Sequence, residues 1–135
     1  MSMTLAEVDA FATSLPAVTV GEKWAHRTWM IGDRGFAWQR PFSKVDLKRF
    51  GDEAPPAGDI VAVVVENLDA KDALLAMELP GFFTIPHFNG YAAVLIALRQ
   101  ARKKDVRTAI LQAFHVVSAR PIAKRPARRT RAKKP

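Results

Sequence analysis

The last sixteen residues of this chain cannot contribute to a hydrophobic core, and that fixes what the rest must do. Arg120 to Pro135 contains Arg120, Lys124, Arg125, Arg128, Arg129, Arg131, Lys133 and Lys134, with no acid and no aromatic residue. A segment of Ala, Pro, Arg and Lys buries too little apolar area to offset the entropy of ordering it, so the sequence predicts a disordered basic arm. Folding is left to residues 1–119, where thirteen basic and thirteen acidic residues balance. A neutral body of that length, in a chain that is 49% hydrophobic, suits one domain with its own core.

Punctuation divides that body. Thr4 followed by Glu7 has the spacing of a capping box, and Leu5, Val8, Phe11, Ala12 and Leu15 recur at helical intervals until Pro16, which predicts a first helix over 5–14. Arg27 to Ile31 and Phe36 to Arg40 read as the strands of a hairpin joined by Gly32-Asp33-Arg34-Gly35. Over 44–49, Val45 and Leu47 alternate with Lys44, Asp46 and Lys48, the pattern of a short strand on a sheet with one wet face. The run from Gly51 to Gly58, with Pro55 and Pro56, is a loop. Ile60 to Val65 is apolar throughout and predicts a central strand. A second helix is expected over 68–79, capped by Asn67 or Asp69 and stopped by Pro80-Gly81. A second hairpin pairs Phe82–Ile85 with Tyr91–Leu98, and the last helix spans 104–117 with Val106, Ala109, Ile110, Ala113 and Val117 as its buried stripe.

Chemistry-bearing patterns are sparse. The chain has no cysteine, which removes disulfides and thiolate sites. His26, His87 and His115 never approach the i, i+4 spacing of a helical metal site, and no phosphate loop, dinucleotide fingerprint or nucleophile elbow occurs, so neither a cofactor nor catalysis is expected. His87 stands out because it lies in a hairpin connection beside Phe88 and Tyr91. It reads first as a ring packed over its turn and bonded to backbone, and second as a nucleic-acid contact. Trp24, Trp29, Trp38, Phe36 and Phe42 offer stacking surface, yet alternation puts Phe36 and Trp38 on one face, which is buried if the helices pack there. Arg102, Lys103 and Lys104 oppose the dipole of the last helix, leaving room for an anion, although solvated surface is the plainer reading. The N-terminus carries Glu7 and Asp9 without a basic and apolar leader, and no apolar run approaches a membrane span, so a cytoplasmic location is expected.

Three stretches carry a family resemblance: Arg40 to Lys48, Phe82 to Leu95, and the closing amphipathic helix. Together they resemble the MmcQ/YjbR family of small bacterial proteins over roughly residues 3–119. The most specific piece is Phe82-Phe83-x-x-Pro86-His87-Phe88-x-Gly90-Tyr91. The resemblance implies a CyaY/frataxin-like α+β fold, in which an antiparallel sheet of two hairpin-containing halves packs against helices, and it implies DNA binding by analogy with a double-wing architecture. Members commonly close with a Pro-Lys-Arg type segment, whereas here a long arm follows Arg120. Frataxins handle iron on an acidic ridge, but the first helix here has only Glu7 and Asp9, which suit cap and surface roles.

The functional expectation is weakly sequence-specific DNA binding, mostly through phosphates. The arm would supply it, with Lys44, Lys48, Arg49 and His87 as contacts from the domain. An anionic membrane surface is the competing partner for the arm, and a monomer is the simplest state. The alternative is a non-enzymatic protein or small-ligand interaction module centred on the 86–91 connection.

Overall fold

The computed structural model describes residues 2–23 and 26–120. The expectations for Trp24 and for Lys124, Arg125, Arg128, Arg129, Arg131, Lys133 and Lys134 lie outside those residues.

The first helix, α1 (Leu5–Thr13), starts where its cap dictates. The Thr4 backbone N–H donates to Glu7 Oε1 at 3.0 Å, and the Glu7 N–H donates to Thr4 Oγ1 at 3.2 Å. We expect Thr4→Ala to cost about 1 kcal/mol of stability. Denaturant unfolding checks this, and an unchanged midpoint and slope would remove the cap from the account.

Strand β1 (Val18–Lys23), which no alternation in the sequence announced, pairs antiparallel with β2 (His26–Ile31). β2 turns through Gly32, at φ 64°, into β3 (Arg34–Gln39), so the hairpin turn has two residues rather than the four expected. The register of β2 on β3 slips between Trp29↔Ala37 and Met30↔Gly35, which leaves Phe36 without a partner of its own. That bulge breaks the expected alternation. Phe36 is fully buried with its ring 5.9 Å from Phe114, whereas Trp38 pairs across to Ala62 and lies among Phe88 and Tyr91.

The segment expected to be a strand at 44–49 is instead a helix, α2 (Lys44–Phe50). Ser43 and Asp46 form a second capping box, in which Ser43 N–H donates to Asp46 Oδ2 at 2.9 Å and Asp46 N–H donates to Ser43 Oγ at 3.1 Å. The alternating Val45 and Leu47 misled the reading because they remain 56% and 46% exposed, while the buried side of the helix holds Asp46 and half-buried Phe50. Lys44, Lys48 and Arg49 are exposed on this helix and lie on no sheet face.

β4 (Ile60–Val64) is buried at every position, as a doubly covered strand should be. Helix α3 (Leu68–Ala76) is capped by Asn67, whose Oδ1 accepts from the Ala70 N–H at 2.8 Å, and ends short of the expected residue 79 as Glu78 turns to φ 53°. β5 (Phe82–Phe83) is brief. A 3-10 turn over Pro86–Phe88 leads to β6 (Ala93–Ala97), and α4 (Lys103–Ala119) closes the fold.

The six strands form one antiparallel sheet in the order β1-β2-β3-β4-β6-β5. The molecule is thus a mixed α+β fold, a six-stranded antiparallel sheet packed against four helices. One core joins Val8 and Ala12 of α1 and the expected stripe of α4 to Trp29, Phe36, Val61 and Val63. A second, smaller core gathers Ile60, Ala62, Ile85, Phe88 and Leu95, with Phe42, Phe50 and Phe83 packed on it. Parity separates the two, since Ile60 to Val63 of β4 and Ala93 to Ala97 of β6 alternate between them, Val64 alone following Val63 into the larger core. Among the described residues, no helix is long and apolar enough to cross a membrane.

A candidate aromatic pocket

Where the smaller core runs out beside β3, the surface opens into a pocket of about 670 Å³. Its floor follows from the bulge, which delivers Trp38 to the same place as the 86–91 connection. The Trp38 ring centroid is 6.4 Å from Phe88 and 6.2 Å from Tyr91, and Phe88 meets Tyr91 edge-on at 5.4 Å. Phe88 is 2% exposed and anchors the connection, whereas Tyr91 is 48% exposed and forms a wall. His26, Pro41, Phe42, Ser43 and His87 complete the rim.

Arg40 brings charge to this apolar setting. Its guanidinium carbon stands 5.6 Å from the Phe88 centroid, a cation–π arrangement. Nη1 pairs with Asp46 Oδ2 at 3.0 Å and also donates to the Pro41 carbonyl. Asp46 itself is 2% exposed. Burial acts to raise its pKa, but hydrogen bonds from Ser43 and the Arg40 charge outweigh that and hold it below the ordinary aspartate value. The cap of α2 therefore also fixes the pocket's arginine.

The connection is held from behind by Lys71 of α3, which is 5% exposed. Its Nζ donates to the Phe88 carbonyl and, at 2.8 Å, to the Tyr91 carbonyl. Burial lowers the pKa of this amine, partly countered by Asp72. The same two carbonyls accept from the Tyr91 and Ala93 amides at 3.0 and 2.9 Å, so no carbonyl is orphaned when the lysine is removed. We expect Lys71→Met to leave global stability within about 1 kcal/mol, because losing two hydrogen bonds offsets relief from burying a charge. Exchange of the Tyr91 and Ala93 amides should accelerate about tenfold. Unchanged exchange in that variant would show that the lysine does not hold the turn.

Of the nucleic-acid contacts expected from the sequence, only His87 lines this pocket, together with His26 and with Trp38, Phe42, Phe88 and Tyr91, which the sequence had marked as aromatic surface or as neighbours of His87. His87 is exposed, its ring 6.2 Å from Phe88, and it makes no hydrogen bond to any described residue, so the expected backbone bond is absent. Arg49 lines a separate small cleft with Asp46, Glu53 and Pro86. Lys44 and Lys48 sit on the exposed side of α2. Arg120 caps the end of α4, its carbonyl accepting from Arg34 Nη1 at 3.2 Å. Its positive charge reaches Tyr91, where burial raises the phenol pKa and Arg120 opposes the rise. The root of the basic arm is therefore close to the pocket wall.

The anion reading at the start of α4 is corrected by its neighbours. Lys103 pairs with Glu7 at 2.9 Å and Arg102 with Asp105 at 3.0 Å, so acids of the chain itself balance those cations. Asp9 accepts from the buried Trp29 indole at 2.9 Å, a tie between α1 and β2 rather than a surface role. No group of three or more His, Asp or Glu side chains among the described residues could hold a metal ion.

A six-stranded α+β domain with an aromatic pocket at the third strand, backed by an arginine paired to a buried aspartate, is the class that fold and site define. The chain belongs to the family of the "Uncharacterized protein Rv2570" of Mycobacterium tuberculosis (strain ATCC 25618 / H37Rv), to which it is 38% identical over 113 residues, covering 82% of this chain and 87% of the relative. The "Uncharacterized protein Mb2600" of Mycobacterium bovis is similar to the same extent, 38% over 113 residues with 82% and 87% covered. No family model matches the chain, and no solved structure matches it.

Proposed function

We propose that the chain is a non-enzymatic binding module that receives a small planar ligand in the aromatic pocket. The observation that carries this reading is the convergence of Trp38, Phe88 and Tyr91, with centroids 5.4 to 6.4 Å apart, on a cavity of about 670 Å³. Ligand sites are typically concave, mostly apolar and edged by a few placed polar groups, and this pocket has that composition. Titrating full-length protein with indole tests it: amide shifts should concentrate at Trp38 and at 87–91. Tyr91→Ala should weaken indole about fivefold while stability changes by less than about 1 kcal/mol, since that ring is 48% exposed. Shifts scattered over the surface, or none, would end the proposal.

A second reading is favoured by the charge distribution. The eight cations of 120–135 stand against a body balanced at thirteen and thirteen, which supports DNA phosphate contact by the arm, with exposed Lys44 and Lys48 adding contacts from α2. Arg49 and His87 are outlying contacts in that scheme. The finer family assignment belongs here too. Resemblance to the MmcQ/YjbR proteins and their CyaY-like fold is supported by the Phe82 to Tyr91 run and by an antiparallel sheet backed by helices. A cytoplasmic location goes with that assignment.

A further inference from the structure

Resting on the pocket reading above, we infer that the ligand is a small planar ring bearing a carboxylate, read by the side-on edge of Arg40. Three observations converge on this. The Arg40 side chain is only 13% exposed, yet it lines the cavity. Its hydrogen bonds all leave from Nη1, to Asp46 and Pro41, so Nε and Nη2 donate to no described residue. A guanidinium's Nε–Nη2 edge is one of its two bidentate forks, matched in spacing to the two oxygens of a carboxylate. A donor pair so nearly buried is costly to leave unpaired, so an acceptor brought by a ligand gains more there than at an exposed arginine.

The remaining lining agrees in charge. His26 and His87 flank the pocket and no Asp or Glu is among its lining residues. Asp46 lies behind Arg40 and holds the guanidinium through Nη1, so it orients the cation without occupying the open edge. The ring of the ligand finds its own partners one step away, because Phe88 already lies under the guanidinium and Trp38 and Tyr91 continue the aromatic surface from it. An anion joined to a ring by a short link therefore satisfies both parts at once. A cationic ring would meet Arg40 with like charge and gain nothing from the fork.

Three probes of one ring separate the terms: indole, indole-3-acetate and tryptamine, each titrated into full-length protein and followed by amide shifts and calorimetry. Indole-3-acetate should bind about tenfold tighter than indole, and tryptamine more weakly than either. Arg40→Gln alone would leave buried Asp46 unpaired and risks unfolding the α2 cap, so the paired variant Arg40→Gln/Asp46→Asn is made alongside it. In that variant the ratio of the indole-3-acetate and indole affinities, both measured on the variant, should fall from about ten to about one. Equal affinity of indole and indole-3-acetate for the wild type, or a preference that survives the paired variant, overturns the carboxylate inference and leaves the pocket reading standing. Failure of all three probes to shift Trp38 and 87–91 overturns both.

Discussion

Gly81→Ala is expected to remove roughly 3 to 5 kcal/mol of stability, a large share of the about 5 to 15 kcal/mol that holds a domain of this kind together. Two costs combine. Gly81 sits at φ 82°, where a side chain costs about 1 to 2 kcal/mol. A Cβ there would also lie 2.7 Å from both the Ala101 nitrogen and the Ala97 oxygen, and 2.9 Å from the Ala101 Cβ. Two of these are backbone atoms and the third is a Cβ fixed to the backbone, in residues 0% (Ala97) and 2% (Ala101) exposed, so none can step aside as the end of a flexible side chain would. The Gly81 carbonyl accepts from the Ala97 N–H at 2.7 Å, which means any shift also loosens β5 from β6. Gly90→Ala is the control: φ is 76° there but nothing lies within 4 Å of the added carbon, so only the conformational cost of about 1 kcal/mol applies. Denaturant midpoints of the two variants should differ widely. Equal losses would show that the close approach at Gly81 is not the cause.

Truncation after Arg120 is expected to weaken DNA binding by orders of magnitude at low salt and to flatten its salt dependence. Ending the chain there keeps the carbonyl that accepts from Arg34 and removes seven of the arm's eight cations. With about five or six arm charges on B-DNA phosphates, log affinity should fall against log salt with a slope near −5, at roughly −0.9 per contact. The truncated domain, formally almost neutral, should show a slope of about −1 or −2. Two unrelated duplexes should be bound alike by the full chain, because phosphate contacts carry no sequence. The measurement is a salt titration of both proteins on both duplexes. Full affinity retained by the truncated domain would move the binding surface to Lys44 and Lys48 on α2, and discrimination between duplexes that survives truncation would do the same.

Much of the frame was legible because it depends on local signals. The Thr4/Glu7 cap, the turn at Gly32, the apolar run of β4 and the α4 stripe each needed only neighbouring residues, and each is where the sequence placed it, the turn two residues shorter than expected. α2 was misread because two signals competed over the same residues: a period-2 apolar pattern favoured a strand, while the Ser43/Asp46 box favoured a helix and prevailed. β1 carries Thr19, Gly21 and Glu22 at an edge, with Val20 itself 44% exposed, so burial left little pattern to read. The pocket was half visible. His87, Phe88 and Tyr91 were marked by their connection, whereas Trp38, expected in the core, packs on both cores and also lines the pocket. Lys71 gave no signal at all, since a lysine in an amphipathic helix has the same sequence signature whether it meets water or two carbonyls seventeen and twenty residues away.

The unpaired residue in β3 also sets how this family can diverge. Phe36 packs on Phe114 and Trp38 on Phe88 and Tyr91, although Trp38 also touches the larger core in which Phe36 lies. Substitutions at either position can drift separately, because the two side chains share no partner ring. Loss of Phe36 itself would let β3 run straight, because Gly35 and Ala37 already have partners in β2; it would remove the ring from Phe114 and leave Trp38 opposite Thr28 and Ala62. The length of β3 is thus a matter for the larger core rather than for the pocket, since the one residue without a partner in β2 is the one that packs on α4.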